Sequence, residues 1–127
     1  MQYGFSRTVP HSYEKAIERV TEELKKEGFG VLTTIDVKDT LHKKLGVEFP
    51  RYVILGACNP PFAHRALQLE EQVGLLLPCN VIVYEKAGTT VVGAFDPMVM
   101  TTVIDRPEMR SIAEEVRTRL EWVLAAV

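Results

Sequence analysis

The sequence predicts an α+β fold built on a mainly antiparallel sheet. Three observations lead there. Long amphipathic helices stand near the two ends of the chain, the strand-like runs cluster between them, and two of those runs are joined as a hairpin. In 127 residues, 46% apolar and 25% charged, this is one domain, 1–127, with enough chain to bury a core without disulfide or metal staples.

Gln2 to Val9 reads as a strand with Tyr3, Phe5, Arg7 and Val9 on one face, ended by Pro10. Ser12 caps the helix that follows, whose apolar stripe is Tyr13, Ala16, Ile17, Val20 and Leu24. Its outer face alternates in charge through Glu14, Lys15, Glu18, Arg19, Glu22 and Lys26, which is a solvated surface. Gly28 stops it. Gly30 to Ile35 is a second strand. Asp36 caps a short helix with Val37, Leu41 and Leu45 four apart, Gly46 closing it and His42 off the stripe on the surface.

Arg51 to Cys58 is the third strand. Tyr52, Ile54 and Cys58 face one way and Val53, Leu55 and Ala57 the other, so both faces are apolar and both require a cover. Gly56 marks either a close backbone approach or a bulge. Asn59-Pro60-Pro61 breaks the strand and starts a helix at Pro61 whose buried side holds Phe62, Ala66 and Leu67 or Leu69, with His64 and Arg65 in its first turns. Cys79 to Glu85 and Thr89 to Phe95 form the hairpin around Ala87-Gly88. After Asp96-Pro97, Met98 to Ile104 reads as extended, a sixth short strand. Asp105 or Arg106 caps the last helix, with the stripe Met109, Ile112, Ala113, Val116, Leu120, Val123 and Leu124, and Trp122 at its edge.

The central run Leu55-Gly56-Ala57-Cys58-Asn59-Pro60-Pro61, with Ala63-His64-Arg65-Ala66-Leu67 and Gly74-Leu75-Leu76-Leu77-Pro78-Cys79-Asn80-Val81, resembles a bacterial and archaeal family of unknown function, number 302. The resemblance covers almost the whole chain. It implies a fold of the TATA-binding-protein-like class, a curved antiparallel sheet with helices packed largely on one face. It brings no activity, cofactor or catalytic residue. That fold's namesake binds DNA, but a fold does not carry its function with it.

A net charge of -2 and a pI near 5.9 argue against a nucleic-acid partner. No apolar run approaches the ~20 residues of a membrane span, and Met1 to Pro10 does not read as a signal peptide. Two cysteines without a secretory signal suggest free thiols in a cytoplasmic protein. Few Asn and Gln beside abundant Glu and Arg lean toward a thermophilic source.

The candidate site rests on two matching dipeptides, Cys58-Asn59 and Cys79-Asn80, which hold the only cysteines and asparagines in the chain. With His64 they are the proposed ligand-binding residues. One reading is structural, with buried thiols and capping amides. A second is a small-molecule pocket at the sheet's end, walled by Phe62. A third is a soft metal held by the two thiolates with His64 or with Met98 and Met100, although the close cysteine pairs of zinc sites are missing. A fourth is thiol redox chemistry. No phosphate loop, nucleophile elbow or His-rich metal motif is present, and no resident cofactor or metal is expected. Placing Cys58 at the end of one strand and Cys79 at the start of the next brings the two thiols together if those strands are antiparallel neighbours. The second apolar sheet face points to a homodimer.

Overall fold

A computed structural model describes residues 2–127; Met1 of the expected 1–127 domain lies outside them. The strands are β1 (Gly4–Val9), β2 (Gly30–Asp36), β3 (Tyr52–Cys58), β4 (Cys79–Lys86) and β5 (Thr89–Phe95). The helices are α1 (Tyr13–Lys26), α2 (Val37–Leu45), α3 (Pro60–Leu69), α4 (Met100–Val103) and α5 (Pro107–Ala126), with 3-10 turns at Glu71–Leu76 and Pro97–Val99. The sheet runs β1-β5-β4-β3-β2, antiparallel at every junction and open at both edges. The fold is therefore α+β. Strands β2 to β5 form a meander, and β1 pairs along β5, so α1 must cross the sheet from one edge to the other.

Strand alternation explains how the two faces divide. Val53, Leu55 and Ala57 of β3, Val81 and Val83 of β4, and Val92 and Ala94 of β5 are buried against the stripes of α1 and α5. From α1 come Ala16, Val20 and Leu24; from α5 come Met109, Ile112, Val116, Leu120 and Val123. Tyr52, Ile54, Ile82, Tyr84 and Phe95 point to the other face and stay half-buried. The start of α1 and the ends of both helices rest on identifiable chemistry, whereas Arg106 at the N-cap of α5 makes no side-chain capping bond. Ser12 accepts a hydrogen bond from the Lys15 amide at 3.1 Å, and Gly28 takes φ +85° past the end of α1. Arg7 donates to the carbonyls of Leu124 and Ala125 at 3.0 Å, and Arg19 to that of Ala126 at 3.1 Å. These guanidinium groups satisfy the last carbonyls of α5 and complement its negative end.

Three sequence expectations change. Met98 to Ile104 is not a strand but a 3-10 turn running into α4. The Asp96 carboxylate accepts from the Met98 amide at 2.9 Å, and Pro97 suits a first turn. The Thr101 and Thr102 hydroxyls donate back to the carbonyls of Met98 and Val99 at 2.6 and 2.7 Å. The strand it follows, β5, offers it no edge, because β5 is paired on both sides. Helix α3 starts at Pro60, one residue earlier than expected. Helix α2 has the expected Asp36 cap and left-handed Gly46, yet fully buries none of its residues: Val37 and Leu41 are half-buried and Leu45 is exposed.

Candidate functional site

A pocket of about 320 Å³ opens where the ends of β3 and β4 meet α3 and α5. Its size falls at the lower end of the ~300–1,000 Å³ of small-molecule sites. It exists because α3 presents small residues, Ala63 and Ala66, where larger ones would have filled the gap to α5. Phe62 forms one wall, Ile112 and Val116 the floor from α5, and Leu77 with Met100 the far side. Leu32 and Leu67, both largely exposed, stand at its edge.

Gly56 is explained by this end of the sheet. A bulge between Val31 and Thr33 of β2 sets Thr33 opposite Gly56. A Cβ on Gly56 would lie 2.2 Å from the Thr33 Oγ1 and 3.0 Å from the Pro78 Cγ. The close approach that the glycine permits is thus made by Thr33 and Pro78, both pocket residues.

The five candidate residues separate. Cys79 pairs with Ala57, so Cys79 and Cys58 sit one register step apart on neighbouring antiparallel strands, both free and both among the residues lining the pocket. Asn59 also lines it and is 7% exposed, but its amide is committed. The Nδ2 donates to the Glu27 carbonyl at 3.1 Å, where Arg119 also donates at 3.2 Å. Asn59 occupies the N-cap position of α3 without making a capping bond, and instead ties β3 to the end of α1. Asn80 is exposed on the opposite sheet face, because strand alternation turns it away from Cys79. His64 is exposed on α3 and does not line the pocket.

The pocket's chemistry is apolar. Among the described residues its lining carries no charged side chain, and Thr33 and Asn59 are the residues in it with a polar N or O side-chain atom. Burial, then the neighbouring Cys58, pushes the Cys79 thiol up to about 11. It stays protonated at neutral pH, a poor nucleophile and a poor metal ligand. Among the described residues no three of His, Cys, Asp and Glu come together to hold a metal ion. Of the methionines considered with them, Met100 lines the pocket and Met98 does not. Two guanidinium groups flank Phe62, Arg65 at 5.8 Å and Arg119 at 5.3 Å from the ring centroid, and hold that wall in place.

Sequence reasoning reached Cys58, Asn59, Cys79, Phe62 and, as a metal-ligand option, Met100, but missed Leu32, Thr33, Leu77 and the α5 floor. The alanines Ala63 and Ala66 on a pocket-facing helix side were the available signal, since small residues there leave volume unfilled.

No helix among the described residues is long and apolar enough to cross a membrane. No curated protein matches the chain. A solved structure, that of an uncharacterized conserved protein DUF302 from Bacillus stearothermophilus, is similar at 35% identity, covering 99% of this chain and 98% of its own, with a TM-score of 0.92. Residues 5–127 match the family described as domain of unknown function DUF302. Apart from Gly4 at the start of β1, the sheet, helices and pocket-forming segments fall within that span, and the chain belongs to the DUF302 family.

Proposed function

We propose that this protein is a small-molecule binding module whose ligand is compact, apolar and uncharged, held between α3 and the Cys58/Cys79 end of the sheet. The observation that carries the reading is a pocket of about 320 Å³ with a lining that is almost wholly apolar and, among the described residues, holds no charged side chain. Such a lining rewards the burial of apolar surface at about 25 cal/mol per Å² and penalises a charge that finds no partner. The half-exposed Cys58 thiol supplies one soft, polarisable contact, and Asn59 serves as a support. The module is read as a single domain acting in the cytoplasm as a homodimer.

Native mass spectrometry of protein purified gently from its own cells tests the reading. A small adduct that organic solvent extracts is expected, and Ala63→Phe, which projects a ring into the pocket from a half-buried position, should abolish it. An unliganded wild-type mass, or an adduct retained in full by the folded Ala63→Phe protein, would sink it.

A further inference from the structure

The face of the sheet turned away from α1 and α5 is built unlike a surface meant for water. Its outward strand positions include Tyr52, Ile54, Ile82, Tyr84, Val91 and Phe95. Among the described residues, Lys86 at the hairpin end is the one charged side chain on those positions, in a chain that is 25% charged. The solvated face of an antiparallel sheet ordinarily alternates to polar and charged residues. Depletion of charge with enrichment of Tyr and Phe is instead the composition of an interface core.

The aromatic groups are already ordered. Tyr52 and Tyr84 stack with centroids 5.2 Å apart and planes 12° from parallel. Phe49 leans on Tyr52 at 6.3 Å and extends the patch toward α2, where Leu45 and Val47 are also exposed. Burial, then Tyr84 and Tyr3, raises the Tyr52 phenol above its ordinary value, so three of the four tyrosines gather here. Beside them lies a trough of about 590 Å³ floored by Gly93, where an added Cβ would press on Ile82 at 3.2 Å and Ser6 at 3.3 Å.

We infer that this face packs against the same face of a second copy of the chain, giving a helix–sheet–sheet–helix sandwich about a twofold axis. The inference rests on the homodimer part of the proposed function and not on its ligand. Size supports it. Five strands at ~4.8 Å spacing, each about seven residues long at ~3.3 Å, present a flat area of roughly 500 Å² before side-chain relief. A specific interface needs about 1,000 Å² in total, or roughly 500 Å² from each partner. Charge supports it too, because a face whose one charge, Lys86, stands at the hairpin end meets its own copy with little repulsion, whereas a nucleic acid would find that one lysine. Aligned sheets pack ~10 Å apart with side chains interdigitated, and the trough beside Gly93 gives the partner's side chains a place to enter.

Sedimentation velocity over a micromolar dilution series tests this with three variants. The wild type is expected to be a dimer. Ile54→Lys and Tyr84→Ser, on the proposed face, should each raise the dissociation constant tenfold or more with unchanged far-UV circular dichroism. Trp122→Lys, on the outer side of α5, should leave it unchanged. A wild-type monomer at every concentration would overturn both the dimer and its surface. A wild-type dimer that Ile54→Lys and Tyr84→Ser leave intact would overturn the surface alone. Tyr84→Ser introduces no charge, so it keeps the test decisive if the lysine variant fails to fold.

Discussion

Cys79 is where a single side chain reports most clearly on its surroundings. Its thiol holds its proton up to about 11, against 9.0 for an ordinary thiol, chiefly because burial disfavours the thiolate. Between those values the unfolded chain has released a proton that the folded chain retains. The unfolded state therefore binds fewer protons, and stability falls as pH rises through this window. The contribution is complete below pH 9 and lost toward pH 11. Urea unfolding at pH 8 and pH 10.5 should show the wild type losing about 2 kcal/mol more than Cys79→Ala, at ~1.4 kcal/mol per pH unit. Equal losses would place Cys79 in water. At this scale, cysteine and asparagine content marked Cys58, Asn59 and Cys79, which line one pocket, but the spacing of the dipeptides could not show that Asn59 holds the Glu27 carbonyl. Nor did the pairing of Asn80 with Cys79 in the chain keep them together, because adjacent strand residues point to opposite faces.

Among the elements, the β4–β5 hairpin carries visible strain. Its two-residue turn places both Ala87, at φ 51°, and Gly88, at φ 78°, in the left-handed region. That is the backbone a tight hairpin requires, and glycine or asparagine adopts it more readily than alanine. Ala87→Asn should therefore raise stability by about 1 kcal/mol, and Ala87→Val should lower it by at least as much. Thermal unfolding of the two variants checks the pair, and a destabilising Ala87→Asn would contradict the turn geometry. The strands and long helices were legible because period and caps agree: Ser12, Asp36, Gly28 and Gly46 all act as their positions suggested. The segment after Asp96 was misread because Val99, Val103 and Ile104 favour strand locally. Tertiary context decided otherwise, since the preceding strand β5 is paired on both sides and the two threonine hydroxyls bond back along the turn.

For the whole molecule, the division into a helix-covered face and an open face follows from the order of elements, and β3 announced it through its two apolar sides. The pocket was less legible. It is a volume left between α3, α5 and a bulged β2, and such a volume depends on packing distances that no local pattern encodes. Its occupancy by an apolar molecule is the central functional claim. The most direct measurement is an amide chemical-shift titration of the ¹⁵N-labelled protein with toluene, a compact uncharged probe of the kind dry apolar cavities accept. Saturable shifts should appear at Cys58, Phe62, Ala66 and Leu77 and be absent from Tyr84 and Phe95 across the sheet. Shifts that never saturate, or that gather on the Tyr84 face while the α3 residues stay still, would contradict it.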